Sequence, residues 1–377
     1  MGEAQAPTRD RSESPASQRN GGPPCYAALD LGTNNCRLLI ASPAGRGFRV
    51  VEAFSRIVRL GDGLSRTGQL DPAAMDRAVA ALKICAEKVR RRRAAQVRAV
   101  ATQACRSAGN GQAFVDRVER ETGLKLRIIA PREEAQLSVA GCVSLLDRAA
   151  DAALVVDVGG GSTELSWVDL RDSALEPGRR PAPPHRLPIR AWLSIPVGVV
   201  TLAERFPEAE PADGAWFRAM VDHVRSHLDG FDKAEGFRPI FAQGRAHLIG
   251  TSGAITSLAG MHLGLRRYER ALVDGLWLER SDCEAAADRL LTLTPEGRAA
   301  QPCIGRERAD LVLAGAAILQ AVQEVWPCER VRVADRGLRE GLLLSLIAER
   351  HSRGGRRRRR GGAGRRFHAE PSHAAAE

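Results

Sequence analysis

The segment Asp157-Val158-Gly159-Gly160-Gly161-Ser162-Thr163-Glu164 gathers the groups that handle phosphate and a divalent cation. Consecutive glycines let the backbone turn sharply and bring N–H groups against an anion. Ser162 and Thr163 add hydroxyl donors. Asp157 and Glu164, on either side, are hard oxygen ligands of the kind Mg²⁺ takes, one or two carboxylates with substrate oxygens and water completing the shell. A second turn, Gly32-Thr33-Asn34-Asn35, follows Asp30 and offers further donors. Arg37 beyond it reads either as a phosphate contact or as a surface residue. A third, Gly250-Thr251-Ser252-Gly253, leads from a strand into a helix. Free N–H groups at a helix start form an anion site, although the same residues also suit an ordinary capped helix. No GxxxxGK[ST] loop and no GxGxxG opening a helix is present, which removes the Walker and dinucleotide readings. Together the three turns point to a phosphate cleft between lobes.

The elements that must hold these turns alternate between strand and helix. Tyr26–Asp30 and Cys36–Ser42 read as strands flanking the second turn, and Phe48–Leu60 as a third. Asp71-Pro72 opens a helix to about Arg93, an N-cap acid followed by proline at the first helical position. Its Arg90–Arg93 end suits the negative helix C-terminus. Strands are expected at Val97–Thr102, Leu124–Ile129, 153–158, Ser162–Asp169, His247–Gly250 and Val331–Ala334. Helices are expected at 112–122, 133–146, 198–206, 213–230, 253–261, 281–293, 307–325 and 336–349. Residues 170–190 hold five prolines and read as a loop. This order argues for an α/β class. Leu29-Asp30-Leu31-Gly32-Thr33 is echoed by Val156-Asp157-Val158-Gly159-Gly160, which suggests two lobes of related design, each offering a glycine hairpin to a shared cleft.

Composition bounds the rest. The 377 residues suit about two domains and are 44% hydrophobic and 27% charged, as a globular chain is. Aromatic residues are only 4%, against a protein built on base stacking. The longest apolar runs are too short to cross a bilayer, so no membrane partner is expected. Eight cysteines without a CxxC pair read as reduced core residues of a cytoplasmic protein. His223 and His227 share a helix face but lack the glutamate of HExxH, so no zinc site is expected there. The net charge is +11, of which residues 350–377 contribute +7 through nine arginines and two glutamates. Residues 1–24 read as a disordered leader, and the arginine- and glycine-rich tail after 349 as disordered too. Arg356–Arg360 in that tail suits a solvated terminus or salt-dependent, non-specific polyanion contact.

Asp30–Ile40 (DLGTNNCRLLI), Asp157–Leu165 (DVGGGSTEL) and Gly250–Gly260 (GTSGAITSLAG) resemble the exopolyphosphatase/guanosine pentaphosphate phosphatase family. Thr102–Asn110 looks like its TEAxRxAxN segment, and Pro131–Ala135 like its EEA segment. Ser194–Leu202, Arg308–Leu319 and Asp335–Gly341 fit as well, so the resemblance runs from about 26 to 349. It implies two actin-like (ribonuclease H-like) lobes of the actin, sugar kinase and Hsp70 superfamily around a phosphate-binding cleft. Lobe I would span 25–150, with the helix at about 336–349 packing back on it, and lobe II 151–335.

The resemblance also implies roles. Glu134 matches the catalytic base that activates water; read from sequence alone, Glu133 and Glu134 are merely first-turn acids favoured by the helix dipole. Arg106 matches a phosphate-contacting arginine, and Asp157 and Glu164 match Mg²⁺ ligands. Gly32, Thr33, Asn34, Asn35 and Arg37 match phosphate-binding positions, as do Gly159, Gly160, Gly161, Ser162, Thr163, Thr251, Ser252 and Gly253. The implied reaction is Mg²⁺-dependent release of terminal orthophosphate from inorganic polyphosphate, or removal of the 5′-γ-phosphate from guanosine pentaphosphate. A binding regulator of the same ligands without turnover is the reading of another class, hinted at by Gln103 alone. A superfamily kinase lacks any acceptor motif. A homodimer is implied. The chain departs from the family at Gln103, where TEAxR has glutamate, at Gln136, where several relatives have arginine, and at Asp274, where some have histidine. Its end soon after Gly341 suggests the short, two-domain form.

Overall fold

In the computed structural model the Asp30 and Asp157 segments each start a mixed sheet. The model describes residues 24–45, 47–172, 175, 183–208 and 212–361, and their side chains except at 185, 233–235 and 351–361. The first sheet contains β1 (Tyr26–Leu31), β2 (Asn35–Ala44), β3 (Gly47–Ile57), β4 (Gln96–Ala101) and β5 (Leu126–Ile128), in the order β3-β2-β1-β4-β5. The second contains β6 (Ala152–Val158), β7 (Thr163–Asp169), β8 (Ile189–Ile195), β9 (Ala246–Thr251), β10 (Trp277–Glu279) and β11 (Arg330–Ala334), in the order β10-β11-β9-β6-β7-β8. In each sheet the acid-bearing strand pairs antiparallel with the next strand and parallel with a later one. The sequence echo is therefore a repeat of topology, and each glycine turn is the tip of a hairpin at the same place in its sheet.

Local chemistry explains the elements. Asp71 caps the helix Pro72–Arg91 by accepting from the Ala74 N–H at 2.9 Å. That helix buries Ala78, Leu82, Cys85 and Val89 against the first sheet. Near its end Lys88 and Arg92 each reach Glu52 of β3 at 2.6 Å. The helix Pro131–Cys142, which carries Glu134, joins β5 to β6 and contributes to both cores. It lies against the helix Leu338–Gly361, which follows β11 and covers the first sheet through Leu342, Leu343 and Leu346. Glycine makes this crossing close: a Cβ on Gly141 would sit 1.9 Å from the Gly337 carbonyl oxygen, and one on Gly341 2.0 Å from that of Leu137. Both of these chain passages between the sheets run through this helix pair.

Some expectations change. β8 occupies the end of the proline-rich stretch and runs on to Ile195; it is an edge strand, where the flanking Pro188 is tolerated. The three-residue β10 and the short helix Gln103–Ser107 were also not expected. The helix expected from 307 begins at Val312, because 301–311 form turns, with Gly305 at φ +73°. The last helix continues to Gly361 rather than giving way to irregular chain at 350; arginine is a good helix former. The leader up to 23, the tail from 362 and the side chains of Arg356–Arg360 lie outside the described residues.

Candidate active site

The two hairpin tips meet. Gly32 N–H donates to the Asn35 carbonyl at 2.9 Å, and Gly159 N–H to that of Ser162 at 2.9 Å, closing both turns. A Cβ on Gly160 would lie 2.9 Å from the Thr33 Cβ, and one on Gly161 2.0 Å from Gln103 Oε1. Only glycine permits this approach. The Gly159 and Gly160 carbonyls accept from the N–H groups of Val199 and Val200, so the start of the helix Val199–Arg205 fixes the loop from behind. Gln103 stands between the tips, accepting from Thr33 Oγ1 at 3.0 Å and donating to Ser107 Oγ at 3.3 Å.

Between the lobes lies a cleft of about 450 Å³ lined by all three glycine turns, Asp30, Arg37, Glu134 and Asp157. Glu134 is buried, and Arg106 Nη1 donates to its Oε2 at 3.1 Å and to the Ile129 carbonyl at 2.8 Å. Asp157 and Glu164 face each other across the β6–β7 register. Glu164 Oε1 accepts from Ser162 Oγ and Ser194 Oγ, both at 2.8 Å, which fixes the carboxylate through one of its two oxygens. Glu164 and Arg106 do not line the cleft themselves but each bonds a residue that does, Glu164 through Ser162 and Arg106 through Glu134.

Carboxylates crowded away from water resist ionisation. Burial, with Asp30 adding repulsion, lifts Asp157 from 3.8 to about 6. Burial and the neighbouring Asp157 lift Glu164 from 4.5 to about 7. Glu134 is pushed well above its ordinary 4.5 by burial and by Glu164 and Asp157, against the pull of Arg106. Asp30 is raised by burial too, with Arg37 opposing. Such a concentration of reluctant carboxylates is what a cation and a proton-handling reaction use.

The donor set suits Mg²⁺. Asn34 Oδ1 and Asn35 Oδ1, on the second glycine turn that lines the cleft, are buried without hydrogen-bond partners. Asp157 and Glu164 are hard oxygen donors, while no described group of three His, Cys, Asp or Glu side chains forms a self-sufficient cage. A Mg²⁺ ion bound by carboxylates plus substrate oxygens and water requires no such cage.

Most of the expected residues come together, with particular exceptions. Thr163 is fully buried and does not line the cleft; its hydroxyl donates to the Val197 carbonyl at 2.7 Å, which removes it as a phosphate donor. Thr251 and Ser252 line the cleft with their hydroxyls engaged. Thr251 Oγ1 donates to the Arg336 carbonyl at 2.7 Å, and Ser252 Oγ accepts from Ala254 N–H at 2.9 Å as an N-cap. Reading the sequence missed Asp30, Arg308 and Arg339 as lining residues. The echo between Asp30 and Asp157 carried the signal for the first. Arg339, without a hydrogen-bond partner among the described residues, is held by its burial below the ordinary arginine value. Asp274 pairs with Arg336 at 3.0 Å on the cleft edge.

The model of the Ppx/GppA phosphatase family matches residues 39–350. The chain is 29% identical over 334 residues to exopolyphosphatase 2 of Mycobacterium tuberculosis, covering 85% of this chain and 98% of that protein. It is 30% identical over 352 residues to the guanosine-5′-triphosphate,3′-diphosphate pyrophosphatase of Aeromonas hydrophila, covering 93% of this chain and 65% of that one. The crystal structure of the Aquifex aeolicus Ppx/GppA family member superposes with a TM-score of 0.67 at 26% identity, covering 87% of this chain and 98% of that one. Among the described residues no helix is long and apolar enough to cross a membrane.

Proposed function

The chain belongs to the Ppx/GppA phosphatase family, and from that premise we propose that it is a phosphoanhydride hydrolase releasing terminal orthophosphate from inorganic polyphosphate with the help of Mg²⁺. The observation that carries the reading is the Glu134–Arg106 pair, buried beside Asp157 and Glu164 at one wall of a cleft built from three glycine turns. Phosphoryl transfer asks little covalent chemistry of a protein; positioning and charge neutralisation dominate. The glycine hairpins, whose tips approach each other, present backbone donors to the anhydride. Glu134 accepts the proton of the attacking water, and its raised proton affinity makes it a stronger base than an exposed carboxylate. Arg106, tied to Glu134 and to the Ile129 carbonyl, holds that carboxylate's orientation and places positive charge beside it. Asp157 and Glu164 would hold Mg²⁺, which supplies neutralisation of the charge on the phosphate oxygens.

A second reading, removal of the 5′-phosphate from guanosine pentaphosphate, draws on the Aeromonas relative and uses the same residues. Release of orthophosphate from long-chain polyphosphate and from guanosine pentaphosphate, measured in parallel with Mg²⁺, decides between them. Preference for polyphosphate supports the first reading and preference for the pentaphosphate the second. Release from neither removes the hydrolase assignment and leaves a binding regulator.

A further inference from the structure

A second inter-lobe cavity, of about 750 Å³, shares Thr33 and Gln103 with the cleft. The first lobe supplies Arg66, on the short helix Leu64–Thr67, and the second supplies Arg205, at the end of the helix Val199–Arg205. Neither guanidinium pairs with a carboxylate among the described residues; Arg205 lies 6.0 Å from the Phe206 ring centroid. The one lining acid, Glu204, is already engaged: it accepts from the Gly63 N–H at 2.8 Å and from Ser65 Oγ at 2.5 Å, bridging the lobes. His223 and His227, stacked edge to face with centroids 5.0 Å apart, complete the polar lining from the second lobe. With two arginines, one from each lobe, against one carboxylate, the charge lining this groove is net positive. At the neck, Gln103 presents a neutral amide where a carboxylate would repel an anion.

We propose that this groove is a second phosphate-binding subsite, in which Arg66 and Arg205 take phosphate oxyanions passing the neck at Gln103. Guanidinium forks bind such oxyanions bidentately, and an anion held by both arginines would draw the lobes together. The oxyanions have two sources with one chemistry: distal phosphates of a chain whose end lies in the cleft, or released orthophosphate. The inference rests on the phosphoanhydride reading of the cleft.

The test is the full-length Arg66→Ser/Arg205→Ser double variant, with Arg66→Lys/Arg205→Lys as the conservative control and thermal melting to confirm folding. KM and kcat are read on long-chain polyphosphate and on tripolyphosphate, together with inhibition by orthophosphate. If the groove holds the chain, KM for the long polymer rises about tenfold, equivalent to ~1.4 kcal/mol, while tripolyphosphate KM and both kcat values stay unchanged. If it holds the product, orthophosphate inhibition weakens about tenfold and neither KM moves. In either case the lysine control retains part of the effect. No change in any of these, or an equal rise in KM for both substrates, overturns the proposal. Should the wild type hydrolyse neither substrate, the reading of the cleft fails, and equilibrium binding of long-chain polyphosphate still judges the groove. Weaker binding by the serine variant supports it, and equal binding overturns it.

Discussion

Asp157→Asn removes a charge from the most crowded part of the cleft while preserving shape. The folded protein holds the Asp157 carboxyl at about 6 rather than 3.8, chiefly through burial. A carboxyl raised on folding adds stability that is full below 3.8 and is lost as pH rises through about 6, because in that window the folded state binds the extra proton. At 1.36 kcal/mol per pH unit the loss at pH 8 is about 3 kcal/mol. Asparagine carries no such cost, so without divalent cations the variant should be more stable than wild type at pH 8 by about 3 kcal/mol. With ~2.1 cal/mol/K per residue over the 325 described residues, that is a Tm gain of about 4 °C. At pH 5 the gain should be roughly halved, since much of the wild-type carboxyl is protonated there. Thermal melts at both pH values, with EDTA, read this directly. Added Mg²⁺ should raise the wild-type Tm at pH 8 and leave the variant nearly unmoved. A variant less stable than wild type at both pH values, or a gain that ignores pH, refutes the reasoning.

Other consequences are equally open to measurement. Arg106→Ala should lower kcat by about 10²–10³, the usual cost of one preorganised donor. It should also move the acid limb of the pH–rate profile upward, because Arg106 is what pulls the Glu134 carboxyl down; in the wild type that limb should stand above the ordinary carboxylate range, since burial and the neighbouring acids raise Glu134. Gly161→Ala drives a methyl group into Gln103 Oε1 and should cost about 1–3 kcal/mol of stability together with activity, and Gln103→Ser should restore part of both. Gly141→Ala meets the backbone oxygen of Gly337, which cannot rotate away, so the helix pair must separate and the melting temperature fall further than for Gly161→Ala.

What the sequence shows of this site is what lies close together along the chain. The Gly159–Gly161 turn and its flanking acids are legible because glycines, hydroxyls and carboxylates stand side by side. Asp30 was legible only by analogy with Asp157; the repeated strand order makes the two equivalent. Arg308 and Arg339 reach the cleft from the turns before one helix and the start of another, a convergence set by packing. Thr163 illustrates the opposite error: strand alternation turns neighbouring hydroxyls to opposite faces, so Ser162 meets Glu164 while Thr163 meets the Val197 carbonyl. β8 escaped notice because its flank is rich in proline, while the strand itself sits at the sheet edge where such a flank is permitted. The contact of Gly161 with Gln103 has no sequence signature, since each residue belongs to a different lobe.

The central claim is that Glu134 activates water for attack on a terminal phosphate. Its most direct test is the kcat of Glu134→Gln on long-chain polyphosphate with Mg²⁺, beside wild type, with substrate binding and melting temperature measured on the same samples. The account predicts a fall of about 10²–10⁴ in kcat with binding retained; a variant that turns over polyphosphate at the wild-type rate would contradict it.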